Sequence, residues 1–191
     1  SNESIEALIK QVDEQWGELD FLVHSLAYAD TQDLSKPFSE TLRDGFNKAM
    51  EISAYSLLPL AKGVIPMMRK RGGGSIVSMS FIGSTLAVPN YNVMGPAKAA
   101  LESCTRYLAR ELGPENIRIN SLSPGAIRTL SSAGIKDISE MIRVAGEHSA
   151  MKRTATQAEV ANTAAFLLSD AASGITGQLI YVDCGYSIMA N

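Results

Sequence analysis

Cysteine, histidine, aromatics and long apolar runs are what this sequence has least of. Two cysteines occur in 191 residues, Cys104 and Cys184, far apart and in no metal-like spacing, so they read as buried free thiols rather than as a disulfide. The two histidines, His24 and His148, have no ligand cluster near them and give no sign of a zinc site. No stretch approaches about 18 consecutive apolar residues, so no membrane span is expected. Ser1-Asn2-Glu3-Ser4 has neither the positive start nor the apolar segment of a secretory signal. A reducing, cytoplasmic home follows as the expectation. Basic charge is scarce too: the net charge is −3, with no Lys/Arg-rich block, which argues against a nucleic-acid partner. Only Met68-Arg69-Lys70-Arg71 is locally basic, and it suits the C-terminus of a helix, where cations complement the macrodipole.

What is present is an alternation of two periodicities. Ile5, Leu8, Ile9, Val12 and Trp16 share one helical face, and Gly17 ends that helix. Leu19–His24 reads as a strand. A long helical pattern over 39–70 should bend or break near Pro59 or Pro66. Gly72-Gly73-Gly74 closes it before a buried strand at 75–80. A helix is expected over 91–112, stopped by Gly113-Pro114, then a strand at 117–121. A short helix over 138–146 follows, then one over 157–169 with a Thr156/Glu159 capping box, and a last strand at 178–182. Helix alternating with strand predicts a parallel sheet covered on both faces, a Rossmann-like α/β fold in three αβα layers. With no linker or repeat, residues 1–191 form part of one domain.

In such sheets ligands sit beyond the carboxyl ends of the strands. Those ends are Ser25-Leu26-Ala27, Ser80-Phe81, Ser123-Pro124-Gly125 and Asp183-Cys184-Gly185. Small residues there admit a flat ligand against backbone, although they also suit tight turns. Near the second of them stand Tyr91 and Lys98. Seven helical residues turn through about 700°, which brings two side chains within about 20° of one face. An ammonium beside a phenol stabilises phenolate and makes the phenol a better proton donor. Taken alone, a Tyr and a Lys at this spacing is commonly structural coincidence.

The full string around the pair, PNYNVMGPAKAALE (89–102), together with FLVHSLAYA (21–29), IRINSLSPGAIRTLSSAGIKD (117–137) and SDAASGITGQLIYVDCGYSI (169–188), resembles the short-chain dehydrogenase/reductases. Within them it is similar to the bacterial enoyl-(acyl-carrier-protein) reductases of type-II fatty-acid synthesis, over essentially the whole chain. Carbonyl-reducing members place Tyr four residues before Lys, where this chain has Met94; the enoyl reductases place it seven before, as Tyr91 stands to Lys98. The resemblance implies NADH as cofactor (NADPH not excluded), an enoyl thioester carried on acyl-carrier protein as substrate, and a homotetramer. It implies Tyr91 and Lys98 as catalytic residues. Ser25, Leu26, Ser80, Lys98, Ile127, Arg128, Thr129, Leu130 and Ser131 would meet the cofactor. Ala29, Phe81, Tyr91, Met94, Ile135 and Ile138 would meet the substrate; without the resemblance, most of these would read as ordinary packing.

The chain also departs from the family pattern. Phe81 stands where many members have a second Tyr, and Ala27 and Ala126 stand where Gly and Pro are common. No strand, Gly-rich turn and helix for a pyrophosphate is found, since Gly72-Gly73-Gly74 precedes a strand instead of following one. By comparison with the family, the first strands and helices of the full fold are lacking, so residues 1–191 are expected to be a C-terminal catalytic portion that by itself binds NAD poorly and is inactive. The alternatives are a ketoacyl reductase or other short-chain dehydrogenase, and a non-catalytic scaffold without cofactor binding.

Overall fold

Strand residues alternate between two faces, and each face here meets a different apolar helix surface. In the computed structural model, which describes residues 1–129, 132 and 135–190, four parallel strands lie in the order β1 (Phe21–His24), β2 (Gly74–Met79), β3 (Ile117–Pro124) and β4 (Leu179–Val182). Phe21 pairs with Ser75 and His24 with Ser78, and Ser78 in turn lies beside Ser121. Ile76 and Ile119 pack against α4 (Leu57–Lys70) and α5 (Met94–Leu112), while Val77 and Leu122 face α7 (Gln157–Leu168). Before β1 comes α1 (Asn2–Trp16), ended by Gly17 in the left-handed conformation at φ 71°. It packs on α4, where Ile9 lies so close to Gly63 that a Cβ there would fall 2.5 Å from it. Parallel strands with helices on both faces are what is expected of a doubly wound α/β fold.

Two helix boundaries differ from expectation. The 39–70 pattern divides into α2 (Thr31–Ser35) ahead of it, then α3 (Arg43–Met50), a wide turn over Glu51–Tyr55, and α4. The break comes before Pro59, not at it or at Pro66, which α4 carries inside. A proline ring clashes with the carbonyl four residues back, here Tyr55. Widening the preceding turn, with the Ser56 N–H donating to Glu51 O five residues back at 3.1 Å, accommodates that clash upstream.

The second difference touches the chemistry. α5 begins at Met94, three residues later than its pattern suggests, because Asn90 and Asn92 hold positive φ of 58° and 22°. Asparagine tolerates that region as single residues, but a helix cannot pass through it. α6 (Ile138–His148) precedes α7, which carries the Thr156/Glu159 capping box as expected.

Candidate active site

Tyr91 therefore lies in the turn before α5 and not on it, so the helical-face argument that paired it with Lys98 does not hold. The two meet by a different route. Tyr91 O accepts from Met94 N at 2.9 Å, beginning the turn that leads into the helix, and the Tyr91 ring folds back against Phe81 with centroids 4.8 Å apart and planes tilted by 57°. Lys98, one turn into α5, is 5% exposed and donates from Nζ to the Met79 carbonyl at 2.6 Å, at the carboxyl end of β2. Both side chains open onto one cavity of about 500 Å³ at the ends of β1, β2 and β3.

Burial governs the electrostatics. Desolvation pushes the Lys98 amine down to about 8, with Glu102 partly opposing the shift. Burial alone pushes the Tyr91 phenol up. The lowering expected from the ammonium neighbour does not appear: loss of water outweighs it, and one ammonium N–H is given to the Met79 carbonyl. The phenol stays protonated at neutral pH, a hydrogen-bond donor aimed at whatever oxygen the cavity receives.

Of the residues singled out in the sequence, the fold gathers Ser25, Ala29, Ser80, Phe81, Tyr91, Met94, Lys98, Ile127, Thr129, Ile135 and Ile138 around this cavity. Leu26 and Arg128 are not in its wall. The Leu26 side chain is 46% exposed, and the Arg128 guanidinium donates to Ser139 Oγ at 2.7 Å. Leu130 and Ser131 lie outside the described residues. The wall also includes Tyr28, Thr31 and Leu34, which a sequence reading passes over because α2 is a five-residue helix without an apolar period.

Glu102 was missed as well. It is 6% exposed and accepts a hydrogen bond from Ser80 Oγ. Its spacing of four residues from Lys98 on one helix was the available signal. Beneath the site the hydroxyls of Ser78, Thr105 and Ser121 form a closed buried triangle, with Ser78 to Ser121 at 2.8 Å. A second, mostly apolar cavity of about 570 Å³ adjoins the first, sharing Phe81, Gly125, Ala126 and Met141 with it.

Comparison with known proteins gives a consistent result. A family model described as enoyl-(acyl carrier protein) reductase matches residues 1–187. The enoyl-(acyl-carrier-protein) reductase (NADH) FabI of Synechocystis sp. is 52% identical over 185 residues, covering 97% of this chain and 71% of the relative. That of Nostoc sp. is 51% identical, covering 99% and 72%. Among solved structures, the enoyl-(acyl-carrier-protein) reductase (NADH) of Aquifex aeolicus superposes with a TM-score of 0.96 at 41% identity, over all of this chain and 74% of its own. The Anaplasma phagocytophilum reductase in complex with NAD gives 0.94 at 40% identity, over all of this chain and 72% of its own.

Proposed function

Since the chain belongs to the enoyl-(acyl-carrier-protein) reductase family of the short-chain dehydrogenase/reductases, we propose that its cavity performs that reaction, with residues 1–191 as the catalytic portion of a single Rossmann-like domain. The chain is an oxidoreductase of fatty-acid synthesis that reduces the trans-2 double bond of enoyl thioesters on acyl-carrier protein with NADH. The observation that carries the site assignment is one cavity at the strand ends holding a buried phenol and a buried ammonium.

The cavity suits the nicotinamide half of the cofactor. Ser25, Ala27, Gly125 and Ala126 line it with a hydroxymethyl group, methyl groups or a hydrogen, so a flat ring can approach backbone. Beyond the N–H on Met79, Lys98 has ammonium N–H to turn to the cavity, a donor of the kind that ribose hydroxyls accept from. Bound NADH supplies the hydride that goes to the β-carbon. Tyr91 would hold the thioester carbonyl oxygen and give its proton to it as charge develops there; the enol returns to the thioester as the α-carbon takes a proton from water and the enol oxygen hands its proton back to the phenolate. Lys98 would hold the ribose hydroxyls and offset that charge from the same cavity wall. Phe81 has no proton to give and acts by packing the Tyr91 ring. Ala29, Met94, Ile135 and Ile138 supply an apolar wall for the acyl chain.

A ketoacyl reductase would need its phenol at position 94. Met94 there is 5% exposed and has no proton to donate. Loss of NADH absorbance with crotonyl thioester tests the assignment, with acetoacetyl thioester as the competing substrate. Turnover of the second in preference to the first would overturn it. In its assembled form we read the protein as a cytoplasmic homotetramer joined through the α3–α4 and α5 faces. Tyr55, Leu58 and Tyr107 are 46%, 36% and 71% exposed there, more apolar surface than a solvated helix face needs.

A further inference from the structure

His24 ends β1 on the same face as Leu22, toward α4, and is 1% exposed. Its Nε2 lies 2.8 Å from Ser56 Oγ. Ser56 Oγ also lies 2.7 Å from the Ile52 carbonyl; we assign its single hydroxyl proton there, which makes Oγ the acceptor and puts the imidazole proton on Nε2. Nδ1 is then a bare lone pair. It is buried, with no hydrogen-bond partner among the described residues. A buried polar atom left unpaired calls for an explanation.

The Lys98 ammonium, held at the end of the neighbouring strand, supplies one. His24 pairs in register with Ser78, and the next carbonyl along β2, that of Met79, holds the Lys98 ammonium. Of the titratable groups facing that ammonium, Glu102 comes from its own helix, Tyr91 from the turn before it and His24 from β1; β2 contributes the Met79 carbonyl. Burial first, and the Lys98 charge second, hold the imidazole down to about 4, so it stays neutral wherever Lys98 is charged.

We propose that His24 is the positioning residue for Lys98, its bare Nδ1 accepting a hydrogen bond from the ammonium through one bridging water. Such a water would have the two polar partners it needs, Nδ1 and an ammonium N–H, in a buried polar site. The consequence is directional: with one N–H on Met79 and one toward His24, the third is fixed on the cavity. His24 thereby joins β1 and α4, through Ser56, to the catalytic lysine on α5. This rests on the proposed function only for its activity readout.

Two substitutions separate the two nitrogens. In His24→Gln the amide nitrogen reaches the Nε2 position and keeps Ser56, leaving nothing at Nδ1. In His24→Asn an amide oxygen stands near the Nδ1 position and Ser56 is abandoned. Titration of the Lys98 amine by 15N NMR in the full-length protein should show Lys98→ammonium conversion at lower pH in His24→Gln than in wild type, with the wild-type value largely restored in His24→Asn. The same order should appear in the alkaline limb of kcat, with kcat down about 10-fold or more in His24→Gln while KM stays within about twofold. Gln behaving as wild type while Asn is impaired would overturn the proposal, leaving His24 a structural tie between β1 and α4. Both behaving as wild type would overturn it too. Should either variant fail to fold, the wild-type His24 Nδ1 resonance decides: it is separable from the one other histidine, His148, and should move in Lys98→Met. A resonance that does not move there rejects the link. Absence of enoyl reduction by the wild-type protein would reject the proposed function, while the lysine titration and the His24 resonance would still decide the present one.

Discussion

Gly83 lies flat against the ring of Tyr91, so closely that a Cβ on it would fall 2.5 Å from Cδ1 and 2.8 Å from Cε1. Phe81 packs on the same ring, which therefore cannot slide away without losing its aromatic partner. Overpacking of this kind costs about 1–3 kcal/mol. Gly83→Ala should leave a folded protein with a modestly lower melting temperature and a kcat reduced about 10-fold or more, because the phenol is displaced. Unchanged kcat would mean that the ring position is not critical.

Tyr91→Phe keeps that packing and removes only the hydroxyl. Turnover should fall by about 10²-fold or more, the usual range for a lost general acid, while NADH affinity measured by fluorescence titration stays near wild type. Lys98→Met, in contrast, should weaken both, since Lys98 serves cofactor and phenol together. Equal loss of turnover and cofactor affinity in Tyr91→Phe would argue against its assigned role.

Acid should destabilise the protein through His24. Its folded-state pKa of about 4 lies below the ordinary imidazole value of 6.5, so the folded state binds fewer protons between them. The stability present above pH 6.5 is lost as pH falls through 4, on the order of 3 kcal/mol in full. Urea midpoints of wild type should drop across that window, and those of His24→Gln should drop less. Lys98 acts in the same sense at higher pH: its value of about 8 lies below 10.5, so its contribution grows as pH rises between the two and is lost below them. Parallel slopes for wild type and His24→Gln would show that His24 is not the group responsible.

Thr156→Ala tests a feature remote from the chemistry. Thr156 Oγ1 accepts from Glu159 N at 3.2 Å, and the Glu159 carboxylate accepts from Thr156 N at 2.8 Å while pairing with Arg153. Removing the hydroxyl should cost about 1 kcal/mol in chemical denaturation and leave kcat as it was. A large loss of activity would show that α7 is coupled to the site.

The sequence by itself determined the layers, because burial periods of two and 3.6 residues are local and each strand and helix carries its own. It also determined the parallel order of the elements, the Gly17 stop and the Thr156/Glu159 cap, and it marked Tyr91 and Lys98 through the length of chain between them. The helical face that seemed to join those two residues is absent: Asn90 and Asn92 end the turn first, and backbone conformation at two asparagines cannot be read from hydrophobic pattern. Only the tertiary structure decided which route brings phenol and ammonium to one cavity, which carbonyl holds the ammonium, and which way each pKa moves. Those depend on groups distant in sequence, Met79 for Lys98 and Phe81 for Tyr91, and on exclusion of water that no single segment achieves alone. The same holds for His24, whose Nε2 meets Ser56, 32 residues away, while its Nδ1 is buried without a partner among the described residues.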